Sequence, residues 1–157
     1  MDKTLKNYLE NHFIKYIKHE HPAVFTVEES KKIKTKYTGL HTKSLFLKDT
    51  KNNFYLVCML GEKRLNTKIL RKYFKIRKLN FASPEELKIY LKVAPGSVSI
   101  FCAIYHDSIA LILDKDIWQA KSAGFHPNIN TSTLELDREN LEKFYNSLKC
   151  KKFILKL

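Results

Sequence analysis

Apolar residues in the first twenty positions recur at three- and four-residue spacing, which is the period of an amphipathic helix. This stripe runs from Leu5 to Ile17. Pro22 should end any helix before it, because proline disfavours a helical conformation at the residue that precedes it. The pattern therefore predicts an N-terminal helix within residues 1–20 that packs its apolar face on the core.

Capping signals indicate two further helix starts. Thr26 and Glu29 have the spacing of a capping box, and they predict a short helix that begins directly after Thr26. Ser83 and Glu86 repeat this spacing, with a proline at the first helical position. A helix is therefore predicted to begin at Pro84.

Short runs of β-branched and aromatic residues predict several strands. Leu45–Leu47 and Phe54–Leu60 flank a polar turn, and they predict a β-hairpin. Val98–Ile104 and Ile109–Leu113 are apolar runs, and we expect them to form two strands that pair with each other. The other predicted elements are a helix over 65–74, strands at 79–81 and 131–136, a helix over 137–148 that is capped by Asp137, and a strand near 153–155.

The order of these elements favours one fold class. Strands and helices alternate, but without the regular order of βαβ units. The 157 residues suit one domain, and no repeat or linker divides them. The sequence thus predicts a single α+β domain over residues 1–157, in which helices flank a mixed, mostly antiparallel sheet.

Charge narrows the range of partners. The chain has 29 lysine and arginine residues against 16 aspartate and glutamate residues, which gives a formal net charge of +13. This excess indicates a polyanionic partner or an anionic membrane surface, although lysine-rich composition also produces basic surfaces without a dedicated partner. The three cysteines form no CxxC pair, and no apolar stretch approaches membrane-spanning length. We expect a cytoplasmic protein without membrane association.

Familiar catalytic motifs are missing from the sequence. It has no GxGxxG, GxxxxGK[ST], HExxH or GxSxG pattern, which disfavours the enzyme classes that depend on them. His19 and His21 stand next to Pro22 without a cysteine or paired carboxylate at ligand spacing, so a surface or turn role is favoured over metal binding. We expect neither a metal nor another cofactor.

Polar residues concentrate instead in three predicted loops that contain glycine or proline. Such loops expose backbone N–H and C=O groups that can hold a small polar ligand, and a nearby lysine can meet a phosphate or ester oxygen. From spacing alone, each candidate in them also has an ordinary role, as one of many lysines, a turn glycine or a loop histidine. The loops span 39–44 with Lys43, 95–99 with Gly96, and 125–131 with His126.

The same loops belong to a longer series of motifs, at 25–29, 39–49, 61–66, 81–87, 95–98, 113–116 and 125–131. In order and spacing this series resembles the YbaK/ProX aminoacyl-tRNA deacylases, which are related to the editing domain of bacterial prolyl-tRNA synthetases. The resemblance implies a YbaK-like, barrel-like α+β domain that hydrolyses the ester of a mischarged tRNA. The segment FHPN at 125–128 is more similar to the ProX branch, which clears alanine from proline tRNA, than to the cysteine-clearing YbaK branch.

The resemblance also implies roles for individual residues. Lys43 falls on the family's catalytic lysine, and Gly96 falls on the first position of its Gly-x-x-x-Pro loop. His126 falls on a histidine that lines the aminoacyl pocket, and we expect Phe46 and Val98 to be further pocket walls. The expected catalytic residues are thus Lys43 and Gly96, and the expected substrate-binding residues are Ser44, Phe46, Ser97, Val98, His126 and Asn128.

Three positions depart from the family pattern and keep alternatives open. Ser44 replaces the usual asparagine, Ile100 replaces the loop proline, and Cys102 replaces a common glycine. A non-catalytic module that binds tRNA or a synthetase is therefore conceivable, as is a deacylase for cysteine or serine. The presence of Lys43 favours an enzyme.

A deacylase of this kind gives the basic surface a partner. Aminoacylated proline tRNA is the expected substrate, and prolyl-tRNA synthetase is a further candidate partner. Lysine and arginine would hold the acceptor stem through its phosphates, since A-form RNA is recognised mainly by shape and backbone contacts. The expected tRNA-binding residues are Lys31, Lys32, Lys34, Lys36, Lys63, Arg64, Lys68, Arg71 and Lys72.

Overall fold

An eight-stranded sheet organises the computed structural model, which describes residues 1–22 and 38–157. The strands are β1 (Ile17–Glu20), β2 (Leu40–Asp49), β3 (Phe54–Leu60), β4 (Leu79–Phe81), β5 (Ala110–Asp114), β6 (Ser122–Phe125), β7 (Ser132–Asp137) and β8 (Lys151–Leu155). The helices are α1 (Lys3–Asn11), α2 (Thr67–Phe74), α3 (Pro84–Glu86), α4 (Lys115–Trp118) and α5 (Arg138–Ser147). A π-helical turn over Leu87–Leu91 extends α3, and Ile100–Ile104 form a 3₁₀ helix.

The described strands lie in the order β1-β7-β6-β2-β3-β5-β8, and β4 pairs with β2 outside this path. Pairing is antiparallel between β1 and β7, β6 and β7, β2 and β3, and β2 and β4. It is parallel between β2 and β6, β3 and β5, and β5 and β8. This arrangement confirms the predicted α+β class and the mixed, mostly antiparallel sheet. Strand β2 is central, because it joins the two halves of the sheet.

Two apolar clusters cover the two faces of this sheet. The main core includes Phe46, Leu56, Phe101, Phe125 and Phe144, all of which are buried. The smaller cluster lies under α2 and consists of Leu47, Tyr55, Val57, Leu70 and Ile112. Consecutive residues of β2 therefore contribute to opposite faces, as the pleat of a strand requires.

Most of the helices and strands that local sequence patterns predicted are confirmed. The hairpin forms between β2 and β3, and α2, β4, β7, α5 and β8 all lie where the sequence predicted them. The Ser83 hydroxyl accepts a hydrogen bond from the Glu86 backbone N–H, and the Glu86 carboxylate accepts one from the Ser83 N–H. The predicted capping box thus starts α3 at Pro84.

The N-terminal helix is shorter than residues 1–20. Helix α1 ends at Asn11, and Phe13 adopts the left-handed conformation with φ 57°. This turn lets the Ile14 N–H donate to the Leu9 carbonyl and stops the helix. Ile17 then begins β1, where it pairs with Glu135 of β7. The helical spacing was misleading because Phe13 is 78% exposed and does not belong to a buried stripe.

The predicted strand at Val98–Ile104 is also wrong. Ser99 caps a 3₁₀ helix there, and its hydroxyl accepts a hydrogen bond from the Phe101 N–H at 3.1 Å. A continuous apolar run fits a buried helical turn as well as a strand, so periodicity could not separate the two. Strand β5 instead pairs with β3 and β8, both in parallel.

Some predictions fall outside the described residues. These are the capping box of Thr26 and Glu29 and the four lysines Lys31, Lys32, Lys34 and Lys36. Conversely, α4 and β6 were not predicted. Within residues 1–22 and 38–157, none of the helices has the length and apolar character needed to cross a membrane.

Candidate functional site

Lys43 lies in β2, on the face of the sheet opposite the main core. Leu47 shares this face and belongs to the cluster under α2, whereas Phe46 points into the main core. Side chains alternate along a strand, so Lys43 faces away from the main core and Ser44 faces toward it. His41 lies two residues before Lys43 on the same face of β2, and it is opposite Gly124 of β6.

The Lys43 ammonium is half-buried and already has a hydrogen-bond partner. Its Nζ donates to the carbonyl oxygen of Lys63 in the loop that follows β3. That loop is pinned to β2 by the Gly61 N–H, which donates to the His41 carbonyl at 2.9 Å. Burial lowers the pKa of Lys43 below the usual lysine range. The structure therefore places a partly desolvated cation at a defined point on the sheet.

A polar cluster occupies the same sheet face. His19 Nε2 lies 3.0 Å from Oε1 of Glu135, and the Ser122 hydroxyl donates to Oε2 of Glu135 at 3.1 Å. Glu135 is opposite Gly124 in the β6–β7 register, which sets it on the side of His41 and Lys43. This face is therefore polar where β1, β7, β6 and the start of β2 meet, in contrast to the apolar face beneath it.

His126 follows β6 directly. Its Nδ1 donates to the carbonyl of Ser132 at 3.1 Å, so the neutral ring carries its proton on Nδ1 and has Nε2 as its acceptor atom. The His21 ring lies 6.1 Å away, centroid to centroid, and His21 Nε2 is 2.8 Å from the Thr133 hydroxyl. Burial lowers the pKa of His126, the charge of His21 lowers it further, and the Ser132 hydrogen bond opposes both. A neutral imidazole is favoured.

Asn128 attaches the His126 loop to the start of the 3₁₀ helix. Its Oδ1 accepts hydrogen bonds from the Ser99 hydroxyl at 2.7 Å and from the Cys102 thiol at 3.1 Å. Its Nδ2 donates to the Tyr105 hydroxyl at 3.4 Å, and that hydroxyl donates to Asp2 at 2.6 Å. Sequence reasoning found Asn128 but missed Ser99, Tyr105 and Asp2, because no motif links such distant positions.

A second hydrogen bond joins β2 to the same region. The Thr42 hydroxyl donates to the Gly124 carbonyl at 2.7 Å, one residue before Lys43 and two residues before His126. Together with the Ser99–Asn128 bond, it links the three segments that the sequence singled out, although residues 40–44 belong to β2 and not to the predicted loop. The structure thus brings the expected site segments into one region.

Within the turn at Gly96, part of the backbone hydrogen-bonding capacity is used by the turn itself. Gly96 has φ 89°, a left-handed conformation that favours glycine. The Ser97 N–H donates to the Ala94 carbonyl at 3.1 Å, so it closes the turn and does not offer a free donor to substrate. Val98 is half-buried against the main core.

Two of the expected substrate-binding residues lie on the face of β2 opposite Lys43. Phe46 is 3% exposed and stacks on Phe54 with ring centroids 5.3 Å apart, so its side chain packs in the main core. Ser44 pairs with Cys58 and lies toward the same core. The alternation of β2 is the physical reason, because positions 44 and 46 face away from position 43.

Two of the expected tRNA contacts are already used within the fold. The Lys63 ammonium is bound by Asp114 and Asp116, which neutralise its charge. The Arg71 guanidinium donates to the Arg77 carbonyl at 3.3 Å. Arg64, Lys68 and Lys72 are exposed, as a phosphate contact requires. Lys31, Lys32, Lys34 and Lys36 lie outside the described residues.

Potential metal ligands are dispersed over the described part of the chain. Within residues 1–22 and 38–157, no group of three or more histidine, cysteine, aspartate and glutamate side chains is placed to share an ion.

Comparison with known proteins identifies the family. The sequence-family model for the aminoacyl-tRNA editing domain matches residues 21–144, which is most of the chain. The chain belongs to the aminoacyl-tRNA editing domain family. It is similar to the prolyl-tRNA editing protein ProX of Acetoanaerobium sticklandii, with 35% identity over 133 residues that cover 83% of this chain and 81% of ProX.

A second relative and one solved structure also match most of the chain. The prolyl-tRNA synthetase associated domain-containing protein 1 of Mus musculus is 33% identical over 129 residues, which cover 77% of this chain and 75% of the mouse protein. A solved structure of a candidate trans-editing enzyme for prolyl tRNA synthetase superposes with a TM-score of 0.74. The two chains are 20% identical, and the superposition covers 100% of this chain and 99% of the chain in the solved structure, which supports the fold.

Proposed function

We propose that the chain is a trans-editing hydrolase that deacylates mischarged proline tRNA, with alanine as the amino acid released. One observation carries the proposal: within an editing domain, hydrogen bonds bring the Lys43 strand, the Gly96 turn and the His126 loop into one region. The similarity to ProX, a prolyl-tRNA editing protein, supports the choice of tRNA.

The bond to be broken is the ester between the amino acid and the terminal ribose. This ester is activated, so its hydrolysis needs a positioned water and stabilisation of the developing oxyanion more than a protein nucleophile. In the proposed mechanism the Lys43 ammonium stabilises the negative charge at the ester or phosphate end. A ribose hydroxyl of the substrate helps to activate the water.

Steric exclusion supports the choice of alanine. A synthetase pocket that fits proline also admits the smaller alanine, because a missing methylene costs only about 1–3 kcal/mol in discrimination. An editing pocket that is too small for the proline ring accepts alanine and rejects the correct product. In the proposed site the neutral ring of His126 limits the space for the side chain.

A panel of aminoacyl-tRNAs tests this function. Purified protein would be incubated with proline tRNA charged with alanine, serine, cysteine or proline, and the released amino acid would be measured against spontaneous hydrolysis. We expect release of alanine and protection of proline. Tight binding of every tRNA without release of any amino acid would favour the non-catalytic module.

A further inference from the structure

Lys63 has a more complete set of partners than a surface lysine needs. Its ammonium donates to Oδ2 of Asp114 at 3.0 Å, to Oδ2 of Asp116 at 2.7 Å and to the carbonyl of Leu157 at 2.9 Å. A lysine ammonium has three N–H donors, and these three acceptors satisfy all of them. We call this arrangement of Lys63, Asp114, Asp116 and Leu157 the Lys63 clamp.

The clamp is anchored in the interior. The Asp114 side chain is fully buried at the end of β5, where its other oxygen accepts a hydrogen bond from the Asp116 N–H at 3.1 Å. Burial alone would lower the pKa of Lys63, but the hydrogen bonds to Asp116 and Asp114 raise it above the usual lysine range. The hydrogen bond from Lys63 in turn lowers the pKa of Asp116. Lys63 is therefore held as a cation.

The backbone of Lys63 connects the clamp to Lys43. The Lys63 carbonyl accepts the hydrogen bond from Lys43 Nζ, while the Lys63 N–H donates to the Leu60 carbonyl at 3.1 Å. The side chain and the backbone of Lys63 are thus fixed at the same time. A displacement of this residue would move the oxygen that holds Lys43.

We propose that Lys63, held by Asp114 and Asp116, is a positioning residue that sets the ammonium of Lys43 for the editing reaction. The proposal rests on the proposed function, in which Lys43 stabilises developing charge. It replaces the expected role of Lys63 as a phosphate contact. Phosphate binding would need a free cation, whereas the Lys63 ammonium is saturated by acceptors of the protein itself.

The two roles of Lys63 predict different kinetics. Loss of a phosphate contact weakens tRNA binding, which raises KM and reduces the salt dependence of binding. Loss of a positioning contact lowers kcat, because a displacement of about 1 Å at the reacting groups can cost up to about a hundredfold in rate. Single-turnover kinetics on alanine-charged proline tRNA separate the rate of cleavage from the half-saturating protein concentration.

The experiment compares Lys63→Met and Lys63→Arg with the wild type. We expect the Lys63→Met cleavage rate to fall by about ten- to a hundredfold, with half-saturation within about twofold of wild type. Lys63→Arg keeps a cation for both carboxylates and should recover most of the rate. The control is Lys48→Met, which removes an ion pair with Glu86 elsewhere on β2 and should leave both parameters unchanged.

Lys63→Met leaves Asp114 buried without its partner, and this can unfold the protein. The double variant Lys63→Met/Asp114→Asn avoids the unpaired charge and keeps an asparagine cap for α4. We expect a folded double variant, by circular dichroism, with the same low cleavage rate. A folded double variant with the wild-type cleavage rate would overturn the positioning role of Lys63 but not the proposed function. A wild-type protein without deacylase activity would instead overturn the proposed function.

Discussion

The Ser99 hydroxyl donates a 2.7 Å hydrogen bond to Oδ1 of Asn128, and both residues are buried. The same hydroxyl accepts from the Phe101 N–H and so caps the 3₁₀ helix. Asn128 has φ 62°, which reverses the chain two residues after His126. One side chain therefore fixes both the helix start and the loop of the candidate site.

Replacement of Ser99 by alanine should destabilise the protein. The change leaves Oδ1 of Asn128 with only the weak Cys102 thiol as donor and removes the helix cap, so we expect a loss of about 1–3 kcal/mol in the free energy of unfolding. Urea denaturation followed by circular dichroism measures it. Ser97→Ala, in the same turn, is the control and should change stability by less than about 0.5 kcal/mol. Equal stabilities of the two variants would contradict the role of the hydrogen bond.

Lys43→Ala should remove activity without unfolding the protein. Loss of a charge that stabilises the transition state typically costs about a hundredfold or more in kcat. The change removes one hydrogen bond, to the Lys63 carbonyl, so the free energy of unfolding should fall by no more than about 0.5–1.5 kcal/mol and the protein should stay folded. Deacylation of alanine-charged proline tRNA is the assay, and Lys48→Ala, five positions along β2, is the control. A folded Lys43→Ala protein with full activity is incompatible with the proposed mechanism.

Much of the fold could be predicted because its signals are local. The hairpin of β2 and β3 and the caps at Ser83 and Asp137 depend on residues within a few positions of each other. Strand β1 could not be predicted in this way, because its conformation depends on pairing with β7, more than a hundred residues later. Tertiary pairing decided between helix and strand where the local pattern was ambiguous.

In the candidate site, too, some residues could be predicted from the sequence, whereas their partners distant in sequence could not. Lys43 and His126 were found through a family resemblance, and the structure places both in the region that hydrogen bonds join. The partners of Lys63 and Tyr105 were missed, since Asp114 is 51 residues from Lys63 and Asp2 is 103 residues from Tyr105. Ion pairs and hydrogen bonds over such separations leave no periodic signal in a sequence.

Binding of tRNA should depend on the exposed cations of α2. The double variant Lys68→Glu/Lys72→Glu should weaken binding of all tRNAs, and the slope of log affinity against log salt should fall by about 0.7–0.9 for each phosphate that the variant no longer neutralises. Arg71 is left intact because its guanidinium holds the Arg77 carbonyl. Filter binding at several salt concentrations measures the slope. Lys3→Glu/Lys6→Glu on α1 has the same charge change and serves as the control. If the α2 variant keeps the wild-type slope, the tRNA lies on another face.

Protein stability should depend on pH through His126. Burial and the nearby His21 lower the pKa of His126 below its ordinary value of about 6.5, so the unfolded chain binds this proton more readily than the folded protein. The stabilising contribution is complete above the unfolded pKa and is lost as pH falls through the lower, folded pKa. Melting temperatures at about pH 7.5 and about pH 5 measure this loss.

The variant His126→Gln removes the titrating group, so its melting temperature should fall less over this interval than that of the wild type. Its stability at the higher pH should also be lower, because the Ser132 carbonyl loses the imidazole donor. His12→Gln is the matched control, since His12 is an exposed histidine at the end of α1. It should keep the wild-type difference between the two pH values. A His126→Gln protein with that same difference would show that the imidazole of His126 does not govern acid sensitivity, and its folded pKa would then have to lie near the ordinary value.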